Sequence, residues 1–145
     1  LSLLLTAGAN VNTTDNEGSC PLFWAAQNGH ADCVKLLLAA PGINVNAAHK
    51  SGYTPLSQAA FYGHADCAKL LLAAPGINVN AAYINGATPL YIAAMNGHAD
   101  CVKLLLAAPG INVNAAHKNG KTPLGIATKN GRKECAELLR AAGGK

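Results

Sequence analysis

The sequence predicts an all-α fold, a solenoid of stacked helix-turn-helix units, because short motifs recur along it at one fixed step. A period of a few tens of residues is the signature of a repeat architecture. The step is 34 residues for each of three motifs. They are Thr-Pro-Leu from residues 54, 88 and 122, Gly-His-Ala-Asp-Cys from 29, 63 and 97, and Pro-Gly-Ile-Asn-Val-Asn from 41, 75 and 109.

Each copy predicts two short helices, as its second full occurrence shows. Thr54 and Pro55 predict a helix start, since the threonine oxygen can cap the helix and proline has no N–H to leave unpaired. Gly63 predicts the helix end, because glycine accepts left-handed backbone. A second helix follows from about Ala65 and stops at Pro75. Two such helices cannot bury their Ala- and Leu-rich surface alone, but stacked copies can.

The connection between two units is predicted to run extended over residues 78–83 and then to reverse direction. Asn85-Gly86 forms the tip of a tight turn, as Ser51-Gly52 does one unit earlier. These residue pairs are suited to the positive φ that tight turns require.

The composition excludes a disordered chain and a membrane-spanning one. Of the 145 residues, 50% are hydrophobic and only 12% are charged, whereas disordered chains are highly charged and poor in apolar residues. No apolar run reaches the length of a membrane helix, so no membrane insertion is expected. The chain shows no initiator Met and no leader pattern, and its opening Leu-Ser-Leu-Leu-Leu leads us to expect a fragment of a longer protein.

Taken together, these motifs resemble the ankyrin repeat. The pattern Thr-Pro-Leu-x-x-Ala-Ala-x-x-Gly-His, followed by Leu-Leu-Leu and Asn-Val-Asn-Ala, is similar to that family over the whole chain. The resemblance implies helix pairs joined by β-hairpin fingers and stacked into a slightly curved solenoid. It divides one domain, 1–145, into a partial repeat at 1–12 and repeats at about 13–46, 47–80, 81–114 and 115–145.

The two ends of the repeat array are interpreted differently. The last repeat is expected to be a C-terminal cap, because Lys133, Glu137 and Arg140 replace the Ala, Lys and Leu of the pattern and make its outer face polar. Leu3 to Leu5 match residues 36–38, so the chain is expected to begin inside a second helix.

The fingers depart from the family pattern at a position that is commonly acidic. Asp15 keeps the acid, but the later copies have His49, Tyr83 and His117. The resemblance also implies that the His after each Gly, such as His64, ties neighbouring loops together by hydrogen bonds.

The repeated cysteines and histidines raise the question of a disulfide, a metal site or catalysis. One position of the second helices carries Cys33, Cys67, Cys101 and Cys135. Neighbours there would lie about 8–10 Å apart, beyond the reach of a disulfide, so we expect buried free thiols. His30 and Cys33 form a pair of zinc-capable residues, but a structural zinc site needs four ligands. No catalytic motif accompanies them, and we expect no metal, no cofactor and no enzymatic activity.

The resemblance implies that a partner binds at the finger tips and on the exposed face of the first helices, where the copies differ. Phe61 and Tyr62 either bind there or pack between repeats. For Trp24, which stands where a core Leu is usual, packing is favoured over binding. Tyr53, Phe61, Tyr62, Tyr91 and Met95 are expected to form a central aromatic and apolar patch. The full set of expected partner-binding residues is Lys50, Ser51, Tyr53, Phe61, Tyr62, Ile84, Asn85, Tyr91, Met95, Asn96, Lys118, Lys121 and Lys129.

The sequence therefore predicts a monomeric protein–protein interaction scaffold whose partner is another protein. The alternative is a targeting arm of a larger enzyme or effector whose catalytic domain lies outside this chain. Nucleic-acid binding ranks below both, because the net charge of +4 comes from a basic excess confined to residues 115–145. Unpaired thiols fit a reducing compartment, which favours an intracellular, cytoplasmic location. The near-identical copies resemble ankyrin proteins of bacteria and intracellular pathogens more than animal ones, which is consistent with a bacterial protein acting in a host.

Overall fold

The computed structural model describes residues 11–145, and these residues form eight helices in four consecutive pairs. The pairs recur at the predicted step, which confirms the all-α repeat architecture. The helix end predicted at Leu3–Leu5 and most of the partial repeat at 1–12 lie outside the described residues. The helices are α1 (Pro21–Gln27), α2 (Ala31–Leu38), α3 (Pro55–Tyr62), α4 (Ala65–Leu72), α5 (Pro89–Asn96), α6 (Ala99–Leu106), α7 (Pro123–Lys129) and α8 (Lys133–Ala141).

The predicted helix boundaries are confirmed by the capping geometry of α3. The Thr54 hydroxyl accepts the backbone N–H of Ser57 at 3.2 Å, and the Ser57 hydroxyl accepts the N–H of Thr54 at 2.8 Å. Pro55 occupies the first turn, and Gly63 ends the helix at φ 74°. In α5 and α7 the hydroxyls of Thr88 and Thr122 likewise accept the backbone N–H of the third helix residue, without the return bond that Ser57 provides in α3. Each cap satisfies an N–H that the helix itself leaves unpaired.

The helices form two layers. The inner helices α1, α3, α5 and α7 pack on one another, and the outer helices α2, α4, α6 and α8 form the second layer. Fully buried alanine pairs, such as Ala59-Ala60, lie in the inner layer, and leucines such as Leu71 and Leu105 fill the space between the layers. Each fully buried leucine contributes about 1.5–3 kcal/mol. The inner helices contact each other more extensively than the outer helices do, and a stack built this way curves toward its inner layer.

The four connections 13–20, 47–54, 81–88 and 115–122, here called the fingers, are closed by short hydrogen bonds. In the second finger the N–H of His49 donates to the carbonyl of Tyr53 at 2.7 Å, and the N–H of Gly52 donates to that of His49 at 2.8 Å. One backbone bond joins each finger to the next, for example Lys50 N–H to the Glu17 carbonyl at 2.9 Å. The described residues contain no β-strand, because one bond between the two arms of a finger, such as His49 to Tyr53, is too short a ladder for the expected hairpin.

A ladder of asparagines joins the repeats at the Pro-Gly turns that follow the outer helices. Asn80 accepts the backbone N–H of Asn112 at 2.9 Å and donates to the carbonyl of Gly110 at 2.8 Å. Asn12, Asn46 and Asn114 make the corresponding pairs of bonds. The segment 78–83, predicted to be extended, instead turns at residues 79–80, so the Asn80 side chain faces the next Pro-Gly turn.

Two histidines connect the start of an outer helix to the end of the inner helix in the preceding repeat. His64 Nε2 donates to the carbonyl of Gln27 at 3.0 Å, and His98 Nε2 donates to that of Phe61 at 2.9 Å. In the last repeat Arg132 takes this role and donates to the Met95 carbonyl at 3.2 Å. Each ring lies directly on a glycine of the preceding repeat, and a Cβ on Gly63 would approach His98 Nδ1 to 2.6 Å. The inter-loop bond that the resemblance implied is therefore present.

Substituting Asn80 with alanine is expected to destabilise the stack. The change removes two hydrogen bonds between repeats, each contributing about 1 kcal/mol, so the free energy of unfolding should fall by about 1–2 kcal/mol. Urea unfolding followed by circular dichroism measures the change. Asn16→Ala serves as the control, because Asn16 is exposed and should shift stability by less than about 0.5 kcal/mol. Equal stabilities for the two variants would contradict the role of the ladder.

Candidate protein-binding groove

A groove of about 230 Å³ lies between the fingers and the inner helices of the last three repeats. It is called the groove below. Apolar and aromatic side chains form most of its surface, and two asparagines lie at its finger side. The lining residues are Tyr53, Phe61, Tyr83, Asn85, Ala87, Tyr91, Ile92, Met95, His117, Asn119 and Ile126.

Two stacked ring pairs form the finger side of the groove. Tyr53 and Tyr83 lie 4.0 Å apart between ring centroids at 14°, and Tyr91 and His117 lie 5.2 Å apart at 26°. Burial, with a side-chain hydrogen bond to Tyr83, raises the pKa of Tyr53 to about 12. The Tyr53 hydroxyl therefore stays protonated at physiological pH. The ring pairs hold each other in place, so this wall is formed before a ligand arrives.

Histidine ring nitrogens replace the carboxylate of the first finger as hydrogen-bond acceptors. In that finger Asp15 accepts the N–H groups of Ser19 and Glu17 at 2.9 and 3.0 Å. In the last finger the N–H of Asn119 donates to His117 Nδ1 at 3.0 Å. The imidazole thus keeps the turn closed while presenting its ring face to Tyr91, which a carboxylate could not do. The change from acid to histidine therefore adds aromatic surface to the groove.

The floor of the groove combines buried and accessible apolar groups. Ile92 and Ile126 are buried between the inner helices, whereas Phe61 and Met95 are half-buried and reach the surface. Phe61 and Met95 occupy the same position of α3 and α5, one repeat apart. A ligand side chain entering the groove would contact these two groups.

The structure brings together five of the predicted partner-binding residues and leaves the others outside the groove. Those in the groove are Tyr53, Phe61, Asn85, Tyr91 and Met95. The others, at finger tips or helix ends, are Lys50, Ser51, Tyr62, Ile84, Asn96, Lys118, Lys121 and Lys129.

Tyr91 needs a correction, because it was expected to offer an accessible ring. It is only 2% exposed, since its ring is covered by His117, so it forms the wall and presents little contact surface itself. Sequence reasoning missed Tyr83, Ile92, His117 and Ile126 as groove residues. The replacement of the usual acidic residue by Tyr83 and His117 was the sequence feature that could have indicated these two.

Trp24 is also placed differently from the expectation that it packs in the stack. Its side chain is 43% exposed, whereas Ile92 and Ile126, its counterparts in α5 and α7, are buried between inner helices. Within residues 11–145 no inner helix precedes α1, so one side of Trp24 is left uncovered. The ring instead meets Phe23 edge-on at 5.5 Å.

The carboxylate of Asp15 in the first finger has a lowered pKa. Hydrogen bonds from backbone N–H groups, chiefly that of Ser19, stabilise its charged form, and the Trp24 indole contributes a further hydrogen bond.

The cysteines form no disulfide and are mostly inaccessible. All five thiols are free, and Cys67, Cys101 and Cys135 are buried as expected, but Cys33 is only partly covered. Burial, with smaller effects of Asp100 and Cys135, raises the pKa of Cys101 to about 11. Burial also raises the pKa values of Cys67 and Cys135. In the described part of the chain no three or more His, Cys, Asp or Glu side chains are placed to hold a metal ion.

None of the helices between residues 11 and 145 is both long enough and apolar enough to cross a bilayer.

The geometry defines a helical repeat protein with a preformed groove and with hydrogen bonds between successive repeats at the fingers and at the Pro-Gly turns. The family model for ankyrin repeats (3 copies) matches residues 1–83 and again residues 76–145. The chain belongs to the ankyrin-repeat family, whose members are in general protein–protein interaction modules and typically non-catalytic scaffolds. No curated protein matches the chain.

Native alkylation is expected to distinguish the cysteines. Only the thiolate reacts, and a pKa of about 11 leaves about 0.1% of Cys101 as thiolate at about pH 8. Iodoacetamide should therefore label Cys33 first and Cys101 last, and Cys101 labelling should accelerate as the pH rises toward its pKa. Mass spectrometry of the digested protein follows each site. Urea-unfolded protein is the control, and equal rates for Cys33 and Cys101 in the folded protein would contradict the burial.

Proposed function

We propose that this chain is a protein-interaction module and that the groove receives its protein partner. The observation that carries the proposal is the preformed aromatic and apolar groove between fingers and inner helices. Soluble proteins normally cover such surface, and apolar groups gathered in a concave site commonly mark a contact with a ligand.

The rigidity of the groove favours binding over loose contact. Tyr53 is fixed by its stack on Tyr83, and the last finger is fixed by the bond from Asn119 to His117. Ordering flexible side chains opposes association by about 0.5–1.5 kcal/mol each, and a wall already ordered avoids this loss. Aromatic side chains also dominate the energetic centres of protein interfaces.

Phe61 and Tyr62 offer a matched pair for testing the groove, because they are neighbours on α3 with different surroundings. Phe61 lines the groove and is half-buried. Tyr62 is 48% exposed, lies outside the groove, and contacts Phe61 and His64. If the groove binds the partner, Phe61 should contribute to affinity more strongly than Tyr62.

Met95→Glu is expected to abolish partner binding without unfolding the protein. Met95 is half-buried on the groove floor, so a carboxylate there would be desolvated by any apolar ligand group. The equivalent position of α7 carries the exposed Lys129, which shows that this helix position accommodates a charge. Capture from native lysate with immobilised wild-type and variant chains, quantified by mass spectrometry, measures the loss. We expect at least a tenfold reduction, about 1.4 kcal/mol.

Two further variants control for stability and for the rest of the surface. Phe61→Ala should reduce capture, while Tyr62→Ala should leave it within about threefold. The melting temperature of each variant is measured in parallel, and Met95→Glu should remain within a few degrees of the wild type. Binding that survives in folded Met95→Glu and Phe61→Ala would contradict the groove as the site.

A further inference from the structure

We propose that the groove selects an acidic peptide segment that carries one large apolar side chain. This inference rests on the proposed function and specifies the chemistry of the partner at the same site. It follows from how charge is distributed between the two layers of the solenoid, from the size of the groove and from the free donors beside it.

The acidic residues are absent from the surface around the groove. Two of the seven, Asp15 and Glu17, lie in the first finger. The remaining five lie on the outer helices, at Asp32, Asp66, Asp100, Glu134 and Glu137. From residue 47 onward the fingers and inner helices therefore carry no carboxylate side chain.

Four lysines lie on that same surface. Lys50, Lys118 and Lys121 are on the fingers, and Lys129 ends α7. Between residues 11 and 145 none of the four forms an ion pair; the pairs found there are His49–Glu17 at 3.9 Å and Lys103–Glu134 at 3.8 Å. Their charges are thus not neutralised within the described chain and remain available to a partner.

Three of these lysines are close in sequence to residues that line the groove. Lys118 stands between His117 and Asn119, both of which line it. Lys121 follows two residues after Asn119, and Lys129 lies one helical turn beyond Ile126, another lining residue. Because positive potential on one side of a site attracts acidic ligands and disfavours basic ones, this arrangement selects for carboxylates beside the groove.

The apolar part of the groove has room for one large side chain. Its volume of about 230 Å³ exceeds the roughly 150 Å³ that holds a benzene-sized group in an apolar cavity. Phe61, Met95 and the buried Ile126 supply the contacts for such a group. A leucine or phenylalanine side chain fits this space, whereas a folded element does not.

The two asparagines at the finger side add hydrogen-bond donors. Asn85 Oδ1 accepts the N–H of Ala87 at 3.0 Å, and Asn119 Oδ1 accepts that of Lys121 at 2.9 Å. These bonds fix both amides with the oxygen turned toward the finger. Each Nδ2 makes no hydrogen bond to another described residue, so each can donate to a peptide carbonyl or a carboxylate.

The test is selection of a random-peptide phage library on the immobilised chain, followed by fluorescence anisotropy with the selected peptides. We expect peptides enriched in Asp and Glu around one Leu, Ile or Phe. Replacing that apolar residue by Ser should remove binding, as should Met95→Glu in the protein. Added salt should weaken binding, because Lys118 and Lys129 are exposed and Lys121 is partly exposed, so that dissolved ions screen their charges.

Two triple variants with the same net charge test the lysines. Lys118→Gln/Lys121→Gln/Lys129→Gln should weaken the selected peptides about tenfold or more, whereas Lys35→Gln/Lys69→Gln/Lys103→Gln on the outer helices should leave affinity nearly unchanged. Melting temperatures establish that both variants are folded.

The outcomes separate this inference from the proposed function. Peptides that need Met95 but show no acidic enrichment, or that bind the two triple variants equally, overturn the inference and leave the groove as a binding site. Peptides that bind Met95→Glu as well as wild type overturn both. Failure to select any peptide overturns the inference, and capture from lysate then decides the proposed function alone.

Discussion

The structure depends on the close contact between alanine pairs of successive inner helices. Ala59-Ala60 and Ala93-Ala94 are fully buried, and a larger side chain at these positions would push successive inner helices apart. With small residues inside and leucines between the layers, the inner helices approach more closely than the outer ones. The resulting curvature brings fingers and inner helices toward one another, and the groove lies in the space that remains between them.

Hydrogen bonds that recur in successive repeats then fix the position of each repeat relative to the next at three places. Backbone bonds join finger to finger, the Asn80 type of contact joins successive Pro-Gly turns, and His98 joins the start of an outer helix to the inner helix of the preceding repeat. These bonds are directional, whereas apolar packing is not. They therefore set the register with which neighbouring rings, such as Tyr53 and Tyr83, meet.

The sequence was sufficient for the helices, because the caps at Thr54 and Gly63 are local and recur in every copy. It was less informative for the groove, since burial depends on what the neighbouring repeat contributes. Tyr91 varies between copies as a contact residue would, yet His117 from the next finger covers its ring. Trp24 looked like a core residue, but it is 43% exposed, because its burial would require a neighbouring inner helix on its free side. The repeated asparagines are visible in the sequence, but the backbone groups with which their side chains form hydrogen bonds are not.

The glycine beneath each histidine has a consequence for how such an array can change length. The His98 ring lies on Gly63 and the Arg132 side chain lies on Gly97. Each repeat therefore offers the next one the same glycine surface, and either a histidine or an arginine can pack on it. Gain or loss of a whole unit by in-frame recombination therefore preserves this contact at the new junction. Natural selection can therefore vary the number of repeats separately from the side chains on each finger. The length and the chemistry of the recognition surface can change in this way while the packing of the helices is kept.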